Sequence, residues 1–122
     1  DKNDSLLMDC SPPPNYTNFQ NKMFDELDKH WTQLKIFENQ SKINQSTWSY
    51  QYLKHGSCCR NLYNQNMYFS LALRLKDRVD LLRNLNTEKI FPGGQYTFDE
   101  IVEAVKTVLK SVPNIKCVQR PQ

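Results

Sequence analysis

One short stretch of the 122-residue chain gathers imidazole, ammonium, amide and thiol side chains: Trp48-Ser-Tyr-Gln-Tyr-Leu-Lys-His-Gly-Ser-Cys-Cys59. It holds one of the two histidines, His55, and two of the four cysteines, Cys58 and Cys59. If Trp48 to Gly56 is helical, at about 100° per residue, Gln51, Lys54 and His55 fall within one arc of about 100°. Gly56 can then end the helix. A titrating imidazole, a fixed cation and an amide on one face suit phosphoryl chemistry. The imidazole moves a proton near neutral pH. The ammonium neutralises charge developing on phosphate oxygens, and the amide donates a hydrogen bond. The same face could also be purely structural, and spacing alone does not separate the two.

Two other chemistries compete for these residues. His55, Cys58 and Cys59 cluster in the manner of zinc ligands, but adjacent cysteines rarely share one tetrahedral ion and no fourth ligand is in view. The cysteines at 10, 58, 59 and 117 contain no C-x2-C pair either. A nucleophilic cysteine working with His55 is a poor fit to a secreted chain, where thiols oxidise. The other histidine, His30, has no acid, base or glycine motif around it and reads as a helix-surface or half-buried residue.

Secretion is suggested by four N-glycosylation sequons, at Asn3, Asn15, Asn39 and Asn44, all within the first 46 residues. The composition, 39% hydrophobic and 24% charged, is that of an ordinary soluble globular protein rather than a disordered one. No run approaches the ~18 apolar residues of a membrane span. The net charge of +3 is too small to clamp duplex DNA by itself, though it permits transient contact with a polyanion. With neither an initiator Met nor a signal-peptide pattern, the chain reads as a processed product or a piece of something longer.

Periodicity supplies the elements that must position the central stretch. Residues 1–19 are irregular, and Pro12-Pro13-Pro14 favours extended backbone. From Gln20 to Leu34, Met23, Phe24, Leu27, Trp31 and Leu34 recur at helical steps. Residues 37–47 form a polar loop whose Ser46 or Thr47 can cap the next element. Asn66 to Arg83 reads as one long helix burying Tyr68, Phe69, Leu71, Ala72, Leu75, Val79 and Leu82. A turn over Ile90–Gln95 precedes Thr97-Phe-Asp-Glu100, a capping box that predicts a helix to about Ser111. Ile115-Lys-Cys-Val118 alternates like a short strand. One strand cannot form a sheet, so a fragment lacking sequence on both sides is expected.

Tyr50-Gln-Tyr-Leu-Lys-His-Gly-Ser-Cys58 resembles the second active-site motif of the ribonuclease T2 family, usually His-Glu-Trp-x-Lys-His-Gly-Thr-Cys. Four further features narrow the likeness: the doubled Cys58-Cys59, Asp28-Lys-His-Trp31, the Pro-Gly…Tyr-Thr-x-Asp-Glu-Ile stretch at 92–101, and Pro113-Asn-Ile-Lys-Cys117. Together they are similar to the self-incompatibility ribonucleases of nightshade-family pistils, from about Cys10 to Val118. The resemblance implies an α+β ribonuclease T2-like fold. Residues 1–122 would be a single partial domain, helix-rich, lacking the N-terminal active-site motif and the C-terminal strands of the antiparallel sheet.

It also implies a secreted, monomeric endoribonuclease without metal or other cofactor and without membrane attachment. RNA is cleaved by transphosphorylation to a 2′,3′-cyclic phosphate. His55 would act as general acid/base, Lys54 would stabilise the pentavalent phosphorane, and Gln51 would donate a hydrogen bond where the family usually has a glutamate. Tyr50 would bind substrate in place of a phosphate-holding histidine, and Tyr52 replaces a tryptophan. The second catalytic histidine belongs to an Ile-His-Gly-Leu-Trp-Pro-Asp motif absent from these residues, so the chain alone should be inactive. By the family pattern Cys10 pairs with Cys58, Cys59 is a buried free thiol, and the partner of Cys117 lies outside the chain. The stretch around residues 11–46 would be what partners read, including a pollen F-box protein. A non-catalytic secreted glycoprotein of the same fold is the alternative.

Overall fold

The computed structural model describes residues 5–119, which form two compact units divided after Leu73. Five α-helices are present among the described residues: α1 (Asn21–His30), α2 (Ser46–Lys54), α3 (Gln65–Val79), α4 (Leu81–Thr87) and α5 (Phe98–Leu109). Short 3-10 turns lie at Glu38–Gln40 and Gly56–Cys59. No described residue is in a strand. None of the described helices is long and apolar enough to cross a membrane.

The first unit is built on aromatic rings. Phe19, Leu27, Trp48, Tyr52 and Phe69 are buried together, with Tyr16, Met23, Phe24, Trp31, Tyr68 and Leu73 packed around them. Phe69 of α3 is the hub, with ring centroids 5.1 Å from Phe19, 5.3 Å from Tyr68 and 5.5 Å from Trp31. Tilted and edge-on pairs of this kind each contribute about 0.5–1.5 kcal/mol beyond the area they bury.

Two buried glutamines knit the loops to this core. Gln45 Oε1 accepts from the Tyr16 hydroxyl and the Phe19 N–H, and its Nε2 donates to the Phe19 and Lys42 carbonyls. Gln33 Nε2 donates to the Ser41 and Asn44 carbonyls, while its Oε1 accepts from Thr47 N–H. Buried amides are tolerable because every such group has a partner.

Several expectations need correction. The first helix ends at His30 rather than Leu34. Thr32 Oγ1 donates back to the Asp28 carbonyl, Gln33 turns inward, and Leu34 is left 90% exposed. The cap of α2 is neither Ser46 nor Thr47, for Gln45 occupies that position. The first-turn N–H groups of Ser46 and Thr47 are satisfied by Asn44 Oδ1 and Gln33 Oε1 instead.

The long helix expected over 66–83 is two helices broken at Asp80, whose φ of 40° and ψ of 61° are left-handed. Asp tolerates that conformation better than most residues, and here it caps α4 by accepting from Arg83 N–H. Asn84 Nδ2 donates to the Val79 carbonyl at the break and, beside its own N–H, to the Asp80 carbonyl. Of the seven residues expected to be buried along that helix only Phe69 is; Leu71, Leu75 and Leu82 are exposed.

In the second unit α4 packs on α5, which buries Ala104 and Val105. The Thr97–Glu100 capping box is formed in both directions. The strand expected at 115–118 is absent. A strand needs a partner for its backbone N–H and C=O groups, and no described segment supplies one.

Candidate active site

Helix α2 has a buried and an exposed side. Trp48 and Tyr52, four residues apart, point into the core and are 0% and 3% exposed. Trp48 Nε1 donates to the Trp31 carbonyl at 2.8 Å, and its ring meets Phe24 edge-on. The Tyr52 ring lies among Tyr16, Tyr68 and Phe69. Burial pushes its phenol above the usual tyrosine range, so it is a neutral packing group. Tyr50 stands on the other side, exposed, and Gln51, Lys54 and His55 are half-buried at the end of the helix.

The C-terminus of α2 is what organises these residues. His55 is the C-cap, yet its N–H still donates to the Gln51 carbonyl at 2.9 Å, so it stays in helical register. The expected arc of Gln51, Lys54 and His55 is therefore present. At a helix C-terminus the backbone dipole favours cationic side chains, which suits Lys54. The carbonyl of Lys54 accepts from Asp9 N–H at 2.6 Å and from Ser57 Oγ at 3.2 Å. Ser57, buried at 2% exposure, also accepts from Cys10 N–H at 3.0 Å.

Gly56 begins the tight 3-10 turn rather than simply ending the helix. A Cβ there would lie 2.8 Å from Tyr52 Cε2 and closer still to Cδ2. Only glycine fits between the core ring and the turn. The turn in turn delivers Cys58 to Cys10. The two form a disulfide with a Cα–Cα distance of 4.9 Å, joining segments 48 residues apart. Arg60 reinforces the same tether by donating to the Pro12 and Ser11 carbonyls. With Cys58 in a disulfide, the zinc alternative loses one of its three clustered ligands. Cys59 is a free thiol, half-buried rather than buried, and its Sγ donates to the Gly56 carbonyl at 3.3 Å. Cys117 is free and exposed.

Lys54 Nζ donates to the Tyr50 hydroxyl at 3.0 Å and lies 5.3 Å from the centre of its ring. That hydrogen bond holds the Lys54 ammonium above the usual lysine range, and the Asp9 carboxylate adds to the effect. The ammonium charge is thus secure at neutral pH. Asp9 and Ser57 are participants that the sequence pattern does not single out. Asp9 acts through a contact 45 residues distant, without a local signal. Tyr50–Lys54, by contrast, is an i,i+4 pair readable from spacing.

The remaining expected residues sit elsewhere. His30 ends α1, with Nε2 3.7 Å from Glu26 Oε2, and is not part of the α2 cluster. Asn15, Asn39 and Asn44 are exposed, and Asn3 lies outside the described residues.

Comparison with known proteins agrees with this geometry. The Ribonuclease T2 family model matches residues 1–122. The chain is 54% identical over 113 residues to ribonuclease S-F11 of Nicotiana alata, covering 93% of this chain and 58% of the relative. To ribonuclease S-2 of Solanum tuberosum it is 50% identical over 101 residues, covering 82% and 45%. The crystal structure of the Nicotiana alata gametophytic self-incompatibility associated SF11-RNase is similar with a TM-score of 0.90 at 51% identity, covering 98% of this chain and 61% of that one. The chain thus spans less than two thirds of the length of these relatives. With a family match that runs along all 122 residues, the chain belongs to the Ribonuclease T2 family.

Proposed function

We propose that the protein containing this chain is a secreted endoribonuclease that cleaves RNA by transphosphorylation. The observation that carries the reading is the end of α2. There an imidazole in helical register adjoins an ammonium that donates to the Tyr50 hydroxyl, inside a sequence stretch that resembles the family's second active-site motif. In this mechanism His55 takes the proton of the ribose 2′-hydroxyl as that oxygen attacks the adjacent phosphorus. Lys54 stabilises the phosphorane as charge builds on its non-bridging oxygens. Gln51 contributes a hydrogen bond but cannot shuttle a proton. Tyr50, in place of the family's phosphate-holding histidine, contacts the substrate. The leaving 5′-oxygen needs a proton from a second imidazole, outside these 122 residues, and the products are a 2′,3′-cyclic phosphate and a free 5′-hydroxyl. No metal or cofactor takes part.

By the likeness to ribonucleases S-F11 and S-2, the setting is gametophytic self-incompatibility in the pistil. The protein acts as an extracellular monomer, with glycans at Asn3, Asn15, Asn39 and Asn44 and a pollen F-box protein as partner. Leu34, Phe37 and Ile43, at 78–90% exposure in the loop between α1 and α2, are apolar groups such a partner could cover. A second reading is favoured by one observation, the replacement of the family's charged or titrating residues by Gln51 and Tyr50. It is a non-catalytic glycoprotein of the same fold acting by binding or storage.

The test is cyclic-phosphate release from RNA by the full-length protein, with His55→Ala beside it. Activity in the parent and a loss of about 100- to 10,000-fold in the variant is the expected result. An inactive parent favours the second reading, and an unimpaired variant removes His55 from the mechanism.

A further inference from the structure

A lysine ammonium rides on a flexible four-carbon stem and, where solvent reaches it, samples many rotamers. Lys54 is instead faced by groups from two parts of the chain. Tyr50, one turn earlier on α2, accepts its hydrogen bond and offers the face of its ring. Asp9 comes from the segment that the Cys10–Cys58 disulfide ties down, and its N–H is bonded to the Lys54 carbonyl. Tyr50 is 57% exposed and takes no part in the aromatic core, so packing does not explain its ring. A hydroxyl is well suited to the task, because it orients an ammonium without neutralising it, as a carboxylate would.

We propose that Tyr50 is a positioning residue for phosphoryl transfer, its hydroxyl and ring holding the Lys54 ammonium in the rotamer that meets the phosphorane. This role rests on the ribonuclease reading, and it gives Tyr50 a part in turnover besides any contact with bound RNA. Charge that is already aimed needs no reorganisation as the transition state forms, so the contribution falls on kcat.

Tyr50→Phe in the full-length protein separates the two roles, since it keeps the ring and removes the hydroxyl. With a short fluorogenic RNA oligonucleotide as substrate, kcat is expected to fall about five-fold, the scale of one net hydrogen bond, while KM stays within about two-fold. The alkaline limb of kcat and the Lys54 Nζ titration, followed by 15N NMR, both move to lower pH, because the bond to Tyr50 raises the Lys54 pKa. In a Lys54→Ala background the same change has no further effect on kcat. The proposal is overturned if Tyr50→Phe leaves kcat and the Nζ titration unchanged, or if it raises KM alone. It is also overturned if the losses add in the double variant. The wild-type protein and His55→Ala, run alongside, tell the two failures apart. If the wild type does not cleave, the ribonuclease reading falls and this role with it. If it cleaves through His55 and Tyr50→Phe is silent, only the positioning role falls.

Discussion

The two sides of α2 are made from residues that alternate along one nine-residue helix, and they do opposite work. Trp48 and Tyr52 are sealed among rings, where any change of shape is felt by Phe24, Phe69 and Tyr68. Tyr50, Gln51 and Lys54 reach solvent; Lys54 donates to the Tyr50 hydroxyl, and its carbonyl accepts from the incoming Asp9 N–H. The first side determines whether the end of the helix exists. The second determines what that end does. Stability and chemistry should therefore be separable by substitutions only a turn apart.

His55→Ala gives the largest expected separation. Activity drops by about 100- to 10,000-fold, whereas the thermal midpoint of the full-length protein moves by about 2 °C or less, as for a substitution outside the core. A large fall in the midpoint would mean that His55 is structural and the division false. Trp48→Ala is the mirror image. It removes a fully buried ring and an indole hydrogen bond, and about 3–5 kcal/mol of unfolding free energy should be lost in denaturant titration. Activity of the surviving folded fraction then tests whether the exposed side needs the buried one.

Opening the disulfide lies between these extremes. Cys10→Ser with Cys58→Ser should cost about 2–4 kcal/mol of stability. It should also loosen the Asp9 and Ser57 bonds to the Lys54 carbonyl, so kcat falls as well as the unfolding midpoint. If kcat is untouched, the tether serves stability alone. The smallest effect is expected at Thr97→Ala, which removes the side-chain cap of α5 for about 1 kcal/mol and leaves ribonuclease activity as it was. The same box predicts a pH dependence. Hydrogen bonds from Thr97 hold the Glu100 carboxyl below the usual glutamate range. Its stabilisation is present above the ordinary glutamate pKa and is lost as pH falls through the lowered one.

What could be read from the residues alone tracks how local its cause is. The α5 capping box was legible because cap and helix lie within four residues. So was the face shared by Gln51, Lys54 and His55, because helical geometry generates it. The break at Asp80 was not, since the periodic pattern continues through Leu81 and Leu82 and only the left-handed residue interrupts it. The burial of Gln33 and Gln45 was equally hidden. A glutamine in an expected helix and another in a polar loop gave no sign that carbonyls from Phe19, Ser41 and Asn44 would close around them. Alternation at 115–118 reads as a strand, but a strand depends on a neighbour that the pattern itself does not contain.

Gly56 sets a limit on how the site can vary. Every other amino acid brings a Cβ, and that atom has no room beside the Tyr52 ring. The ring at 52 therefore fixes the residue at 56. A larger residue at 56 becomes tolerable only if 52 gives up its ring, and with it three ring contacts in the core. Position 50, on the open side of the same helix, carries no such constraint. Across related sequences, 56 should stay glycine wherever 52 carries a ring, while 50 is free to sample other partners for the lysine.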